Sequence, residues 1–216
     1  MTNIAVFGAA GNIGSRIAAE AASRGHQVTA VARDASRITD RPAGLRVVEG
    51  HVFDDGTLSD VLKDQDAVVL ALGGAGASGQ PDLYVRAGEK LVAALRALGG
   101  AAPRLLVVGG AGSLEAAPGV RVMDDPGFPE AYKPEAGAAG RALDFYRTVT
   151  DVRWTFLSPA KVIAPGDRTG TYRTGTERPV EDANGESRIS TEDYAVAMID
   201  EIENPRYVGQ RFTVGY

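Results

Sequence analysis

The sequence predicts an α/β protein built on a doubly wound, mostly parallel sheet. Short apolar segments alternate with segments of helical periodicity along most of the chain. The run 67–72 contains no polar residue, which is typical of a parallel strand covered on both faces. Glycines at positions 8, 11 and 14 lie between the first apolar segment and the first helical one. We therefore expect one domain, residues 1–216, with helices on both faces of the sheet.

The individual elements follow from the period of the apolar residues. Strands are predicted for the apolar runs 4–7, 28–31, 45–48, 67–72, 105–108, 154–157 and 212–214. Helices are predicted from about residue 12, after the turn 54–56, at 83–98, at 135–149 and after Ser190. Gly25 is placed to end the first helix, and Ser190 is placed to cap the last one with Asp193 at the third helical position.

The segment 159–190 differs from the rest of the chain. It is rich in turn-forming and polar residues, including Gly166, Gly170, Gly175 and Gly185. We expect this segment to form a lid or a small lobe on the substrate side of the domain.

Composition excludes several classes of function. The 216 residues include no cysteine, so disulfides, thiolate nucleophiles and zinc–thiolate sites are absent. The two histidines argue against a histidine-rich metal site, and no metal is expected. The formal net charge of -5 argues against nucleic acid or an anionic membrane as a partner. The chain starts without a signal-like leader and has no apolar run long enough to span a bilayer, so we expect a cytoplasmic protein.

The glycine triplet has the features of a phosphate-binding turn. Gly8 permits a tight turn off the strand, Gly11 lets the main chain approach a pyrophosphate, and Gly14 allows the helix to pack against the strand. The start of the helix then offers free N–H groups to the phosphates. The expected dinucleotide contacts at this turn are Gly8, Ala10, Gly11, Asn12, Ile13 and Gly14. A purely structural turn is the alternative.

Further motifs carry a resemblance to a known family. The spacing Gly-x-x-Gly-x-x-Gly resembles that of extended and atypical short-chain dehydrogenases/reductases, which have a Rossmann fold. The segments that extend the likeness are 107–114, 132–136, 154–159, 165–170 and 211–216. Together they resemble the bacterial NADH-flavin reductase-like group, which is related to biliverdin reductase B-like flavin reductases and to NmrA-like proteins. The resemblance covers essentially the whole chain.

Residues after the second strand bear on the choice of nicotinamide cofactor. An acidic residue there favours NAD, whereas an arginine accommodates the 2′-phosphate of NADP. Arg33 occupies this place, and Arg37 is a possible second cation. Asp34 would repel the phosphate unless its side chain caps the turn that follows it. We expect NADPH to be preferred over NADH; the alternative is that Arg33 is only a solvated charge.

Two more segments are expected to contact the cofactor, because of the resemblance. His51 and Val52 follow the third strand, where related proteins usually carry an acidic residue near the adenine; an exposed loop histidine is an equally good interpretation. Ala71, Leu72 and Gly73 follow the fourth strand beside the ribose and pyrophosphate. The glycines give the stretch 74–79 so much conformational freedom that it needs a binding partner to adopt one conformation. We expect it to order when a ligand binds.

The usual proton donor of short-chain dehydrogenases is missing. Their Tyr-x-x-x-Lys pair lowers the tyrosine pKa so that the phenol exchanges a proton with the substrate. No tyrosine of this chain has a lysine four positions later. Ser113 and Tyr132 are the remaining catalytic candidates, although Ser113 would also serve as a turn cap and Tyr132 as a packing residue. Ser158 and Pro159 are expected to adjoin the nicotinamide, and Lys161 and Arg168 to attract an anionic acceptor or to be merely solvated.

These observations favour an NADPH-dependent reductase that transfers a hydride to a flavin, a quinone or a similar conjugated acceptor. FMN or FAD would then be a substrate rather than a prosthetic group. The alternative is a regulatory protein that senses NAD(P) without turnover; an epimerase is disfavoured by the missing pair and the short C-terminal part. The expected partner is a small-molecule acceptor, and the expected state is a monomer or a homodimer.

Overall fold

The computed structural model describes residues 1–216. Its twelve strands are β1 (Asn3–Phe7), β2 (Gln27–Ala32), β3 (Leu45–Glu49), β4 (Ala67–Leu70), β5 (Arg104–Val108), β6 (Glu115–Ala117), β7 (Val120–Arg121), β8 (Trp154–Ser158), β9 (Val162–Ala164), β10 (Arg173–Gly175), β11 (Arg188–Ser190) and β12 (Gln210–Gly215). Its α-helices are α1 (Asn12–Ser23), α2 (Asp55–Val61), α3 (Leu83–Leu98), α4 (Lys133–Arg147) and α5 (Thr191–Glu203).

Eight of these strands form the central sheet, in the order β10-β12-β8-β5-β4-β1-β2-β3. All neighbours in it are parallel except β10, which runs antiparallel to β12. The chain builds the sheet outward from β1 to β3 and then returns to place β4 on the other side of β1. The strand order therefore reverses between β1 and β4, and open α/β sheets bind ligands at the carboxyl ends of such strands.

The core lies in two layers, one on each face of the sheet. Alternate residues of β1 point to opposite faces: Ile4 and Val6 belong to the layer under α1 and α5, whereas Ala5 and Phe7 belong to the layer under α2, α3 and α4. This two-sided burial explains why the strand sequences are continuously apolar. The Rossmann-type fold expected from the sequence is confirmed.

Local signals at the helix ends are also confirmed. Gly25 has a φ of +81° just after α1, a left-handed conformation that suits glycine at this position. The side chain of Ser190 accepts a hydrogen bond from the Asp193 N–H at 2.9 Å and so caps α5. Helix α4 begins at Lys133, two residues earlier than predicted, because Pro134 is well suited to the first turn. Strand β4 ends at Leu70 instead of residue 72.

The segment 159–190 is more closely integrated with the domain than a simple polar lid. It supplies β10 at the edge of the central sheet, and its β9 and β11 pair with each other as parallel strands. Arg168 contacts buried Glu20 on α1 through two hydrogen bonds of 2.7 Å. Asp193, fully buried at the start of α5, accepts hydrogen bonds from Thr169 Oγ1 at 2.5 Å and Gly170 N–H at 2.8 Å. These contacts join the segment 159–190 to helices α1 and α5.

None of the α-helices combines the length and the apolar character needed to cross a lipid bilayer.

Candidate dinucleotide and acceptor site

The turn between β1 and α1 requires glycine at two of the three predicted positions. Gly8 has a φ of +83°, and a Cβ on it would lie 2.2 Å from the carbonyl oxygen of Ala71. A Cβ on Gly14 would lie 2.2 Å from the carbonyl oxygen of Gly8. Both distances are far below van der Waals contact, so any side chain would push β1, β4 and α1 apart. The glycines thus let the three backbones meet at the point where the strand order reverses.

The start of α1 has the properties of an anion-binding site. Its cap residue is Gly11, no side chain caps the helix, and the first turn contains no acidic residue. The N–H groups of Asn12 and Ile13 have no acceptor within the protein. Unpaired N–H groups and the positive end of the helix dipole favour a bound phosphate. These residues therefore fit the pyrophosphate of a dinucleotide.

A cavity of about 1080 Å³ extends from this turn over the ends of β1, β2 and β4. It brings together most of the predicted cofactor residues: Gly8, Ala10, Gly11, Arg33, Arg37, His51, Val52, Ala71, Leu72 and Gly73. Ile13 lines a second cavity, described below, and Asn12, Gly14 and Ser158 line neither. Gly14 acts through packing. The main-chain N–H of Asn12 is unpaired, and its side-chain oxygen accepts a hydrogen bond from Arg16 Nη1 at 2.6 Å.

Two arginines at the far end of this first cavity are free of ion pairs. Arg33 and Arg37 are exposed, line the cavity and contact no carboxylate within 4.0 Å. Asp34 lines the same cavity, and its Oδ1 accepts hydrogen bonds from the N–H and Oγ of Ser36, at 3.0 and 2.6 Å. These bonds lower the pKa of the Asp34 carboxyl. This part of the cavity therefore holds two unpaired arginines and one carboxylate, which caps its own turn through Oδ1.

His51 is exposed and lines the first cavity. Its Nδ1 accepts a hydrogen bond from the Phe53 N–H at 3.2 Å, which holds the ring beside that loop. The Arg86 guanidinium lies 5.4 Å from the centre of the Phe53 ring. A contact between His51 and adenine stays a prediction.

The glycine-rich loop that follows β4 is held by residues of two helices. Glu135 on α4 accepts hydrogen bonds from the N–H groups of Gly76, at 2.7 Å, and Gly74, at 3.3 Å. The same carboxylate accepts a hydrogen bond from the Tyr84 hydroxyl on α3. The sequence predicts that this loop orders on ligand binding, but the protein itself supplies anchors for it. Neither Tyr84 nor Glu135 was singled out from the sequence, since the only signal was that so many glycines need an external partner.

The hydroxyl of Tyr84 is a poor proton donor for catalysis. Burial, followed by the hydrogen bond to Glu135, raises the pKa of its hydroxyl above the ordinary value. A tyrosine activated for proton transfer needs the opposite shift, which a neighbouring cation provides. The phenol is therefore a fixed donor to Glu135.

A second cavity, of about 780 Å³, adjoins the first and shares Leu72 and Gly73 with it. More than half of its lining residues are apolar, including Val108, Phe128 and Ile163. Tyr132 is at its edge with 65% of its surface exposed, and its hydroxyl has no hydrogen-bond partner. Its size and apolar lining suit a flat organic molecule.

The structure separates the two catalytic candidates. Tyr132 lines the second cavity, whereas Ser113 does not. Ser113 Oγ accepts a hydrogen bond of 3.0 Å from buried Arg211, which also pairs with Glu177. Ser113 therefore belongs to a contact between the turn after β5 and strand β12, and its side chain does not line the second cavity.

The two predicted cofactor residues at the end of β8 also differ in their access to the second cavity. Pro159 lines the second cavity beside Leu72 and Gly73. Ser158 is fully buried, and its Oγ has no hydrogen-bond partner. The side chain of Ser158 is thus sealed from the cavity, and only Pro159 is placed to adjoin a nicotinamide.

Lys161 and Arg168 are both already paired. Lys161 Nζ lies 2.6 Å from Glu181 Oε1. Arg168 makes the two 2.7 Å contacts with Glu20 described above, and does not line either cavity. The expectation that they attract an anionic acceptor has no support in this geometry, because their charge is neutralised by neighbouring carboxylates.

The comparison with known families agrees with this geometry. A family model described as NAD(P)H-binding matches residues 8–205, from the first glycine of the turn to beyond α5. The chain belongs to the NAD(P)H-binding family. The family match supports a nicotinamide cofactor for this chain.

Individual relatives cover the whole chain. The uncharacterized protein YwnB of Bacillus subtilis is 42% identical over 214 residues, 98% of this chain and 97% of its own length. A "putative NADH-flavin reductase" of Streptococcus pneumoniae has a structure with a TM-score of 0.87 at 34% identity, covering 100% of this chain and 99% of its own. A "putative exported protein" of Burkholderia pseudomallei has a TM-score of 0.87 at 45% identity, covering 100% of both chains.

Proposed function

We propose that this member of the NAD(P)H-binding family is an NADPH-dependent reductase of flavins, quinones or similar conjugated acceptors. The observation that carries the proposal is the meeting, at Leu72 and Gly73, of a dinucleotide-sized cavity that contains the glycine turn and two unpaired arginines with a second cavity that contains neither. A cofactor whose pyrophosphate lies at the start of α1 has its adenosine end toward Arg33 and its nicotinamide end toward this junction.

The preference for NADPH rests on the two free arginines. Arg33 and Arg37 offer paired N–H donors to a 2′-phosphate, and they outnumber the one carboxylate of the cavity, Asp34. The ribose 2′-hydroxyl of NADH carries no charge and would gain less from these two cations than a 2′-phosphate does. Arginine here thus favours the phosphorylated cofactor.

The class of acceptor follows from the lack of an activated proton donor. The Tyr132 hydroxyl is free at the edge of the second cavity, but Lys133, its neighbour in the chain, pairs with Glu130. No tyrosine–lysine pair exists, Ser113 is held by Arg211, and the raised pKa of Tyr84 makes that phenol a poor acid. An alcohol or ketone substrate needs an enzymic acid or base, whereas a flavin or quinone, once reduced, takes its proton from water. The balanced reaction for a flavin is NADPH, one proton and the oxidised flavin giving NADP⁺ and the dihydroflavin.

In this proposal the protein acts chiefly by position. NADPH supplies the two electrons with one proton, as a hydride. The start of α1 and the loop held by Glu135 fix the cofactor, Pro159 confines the nicotinamide end, and the exposed Tyr132 ring offers a stacking surface to a flat acceptor. The name of the Streptococcus pneumoniae relative supports the same class of reaction.

The test is to follow NADPH absorbance in the presence of riboflavin, FMN, FAD and menadione, with NADH measured in parallel. We expect oxidation with at least one of these acceptors and faster turnover with NADPH than with NADH at subsaturating cofactor. Calorimetric binding of NADPH without oxidation across the panel would instead establish a nucleotide sensor. Equal affinity for NADPH and NADH would refute the role given to Arg33.

A further inference from the structure

We infer that the second cavity selects uncharged acceptors and discriminates against acceptors that carry a phosphate. This inference rests on the proposed function and narrows it from conjugated acceptors in general to neutral ones, such as riboflavin or an unsubstituted quinone. It follows from the charges that line the cavity and from the way each of them is paired.

Three charged side chains line the second cavity: Asp125, Glu135 and Lys161. Lys161 is neutralised by Glu181 at 2.6 Å. Asp125 and Glu135 have no cation within 4.0 Å; Asp125 accepts only the Gly127 N–H, at 2.7 Å, and Glu135 only Tyr84 and the loop amides. Two carboxylates are therefore left without a compensating cation.

Two basic residues are neighbours in sequence of residues that line the second cavity, but neither compensates the charge of Asp125 or Glu135. Arg121, next to the lining residue Val122, makes two contacts with Asp124, at 2.8 and 2.9 Å. Lys133, next to Tyr132, pairs with Glu130. Each of these cations meets a carboxylate of its own, so none is free to hold a phosphate of the acceptor.

The first cavity has the opposite arrangement. Its two arginines, Arg33 and Arg37, are in no ion pair and outnumber its one carboxylate, Asp34. Phosphate groups are thus favoured at the cofactor end of the cleft and disfavoured at the acceptor end. The same contrast opposes insertion of the cofactor in the reverse direction.

The apolar lining identifies the kind of neutral molecule that fits. Val108, Phe128 and Ile163 offer apolar surface, and the Tyr132 ring lies exposed at the edge. An isoalloxazine or naphthoquinone ring matches such a surface, because it is flat and uncharged. FMN presents the same ring with a phosphate of nearly two negative charges at neutral pH, so riboflavin and FMN differ mainly in the property that the cavity would detect.

The experiment compares kcat/KM for riboflavin and FMN at saturating NADPH in a buffer of low ionic strength. We expect the ratio of riboflavin to FMN to be about 5 or more, since two uncompensated carboxylates face the phosphate. The ratio should fall toward 1 as salt is added, because the Debye length shrinks from about 30 Å at 0.01 M to about 8 Å at 0.15 M. Riboflavin in the same buffers reports any effect of salt on the cofactor.

The matched variants are Asp125→Asn and Asp60→Asn. Asp125→Asn removes one of the two carboxylates and should lower the riboflavin-to-FMN ratio by about 3-fold at low salt. Asp60→Asn removes a carboxylate outside both cavities, whose side chain is 81% exposed, and should leave the ratio and the activity unchanged. The two variants carry the same change of net charge, so a difference between them isolates the place of the charge.

Binding measurements keep this test independent of turnover. Quenching of flavin fluorescence by the NADP⁺-bound protein should show tighter binding of riboflavin than of FMN. Tighter binding of riboflavin than of FMN, without NADPH oxidation, would refute the reductase but uphold the selectivity. Equal kcat/KM and equal affinity for the two flavins at low salt, or no binding of either flavin, would overturn the inference itself.

Discussion

The hydroxyl of Tyr84 on α3 donates a hydrogen bond to the carboxylate of Glu135 on α4, and the same carboxylate holds the amides of Gly74 and Gly76. This pair joins two helices to the glycine-rich loop 74–79. Residues of this loop line the first cavity, so its order bears directly on how the dinucleotide is held. Four predictions follow from this contact and from others in the structure.

Replacing Glu135 with alanine should weaken NADPH binding. The Gly74 and Gly76 amides lose their acceptor, and NADPH then has to order the loop on binding, which we expect to raise its Kd about 10-fold. Glu135→Gln, which keeps one acceptor oxygen, should recover part of the loss. Calorimetry measures the affinity, and hydrogen exchange at Gly76 reports on the loop.

Glu130→Ala is the control for Glu135. Glu130 lies in the short 3₁₀ turn just before α4 and pairs with Lys133, but its side chain is 83% exposed. Its loss should change neither the NADPH affinity nor the exchange of Gly76. Slow exchange at Gly76 in Glu135→Ala would show that the loop does not depend on this carboxylate.

Replacing Arg33 with alanine should reduce the preference for NADPH. A charged hydrogen-bonded contact with a phosphate is worth about 1.5–3 kcal/mol, so the Kd for NADPH should rise about 10- to 100-fold while that for NADH changes little. Arg178→Ala is the matched control, because Arg178 is exposed and lines neither of the two main cavities. An equal rise for both cofactors in Arg33→Ala would mean that the residue does not contact the 2′-phosphate.

Alanine substitutions at Gly8 and Gly25 should have very different costs. Both glycines have a left-handed φ, +83° and +81°, but a Cβ at Gly25 meets nothing within 4 Å whereas one at Gly8 strikes the Ala71 carbonyl. We expect Gly25→Ala to lower the free energy of unfolding by about 1 kcal/mol, and Gly8→Ala by about 3 kcal/mol with loss of dinucleotide binding. Urea denaturation compares the two, and equal costs would contradict a steric role for Gly8.

Acid should weaken the contact of Glu192 with α1 and the segment 159–190. Burial by itself would raise the pKa of Glu192, but hydrogen bonds from Arg16, at 2.6 Å, and the Gly166 N–H, at 2.9 Å, outweigh it and lower the pKa from 4.5 to about 2. A lowered pKa in the folded state means that the carboxylate stabilises the protein above pH 4.5, and that this contribution disappears as the pH falls toward 2.

The measurement is the free energy of unfolding in urea as a function of pH, for the native protein and for Glu192→Gln. The difference between them should be about 1 kcal/mol at neutral pH, since the pair is partly open to solvent, and should vanish as the pH falls from 4.5 to about 2. Glu186→Gln changes an exposed carboxylate that has no ion-pair partner and should follow the native curve. A constant difference between the native protein and Glu192→Gln throughout the acid range would disprove the assignment.

The sequence by itself determined the features that depend on neighbours along the chain. The period of the apolar residues gave the strands and helices of a doubly wound sheet, and the spacing of Gly8, Gly11 and Gly14 between a strand and a helix indicated the phosphate-binding turn. Asp34 as the cap of its own turn was also predictable, because its partner is two residues away. Short-range geometry is encoded locally, so a single sequence is enough to infer it.

Only the tertiary structure decided which polar side chains are available to a ligand. Tyr84 and Glu135 are 51 residues apart, Ser113 and Arg211 are 98 apart, and Arg168 and Glu20 are 148 apart. These pairings anchor the glycine-rich loop, withdraw Ser113 from the cavity and neutralise Arg168. The sequence shows the charge or hydroxyl of a side chain but not the partner that occupies it, because that partner is brought close only when distant helices and strands pack together.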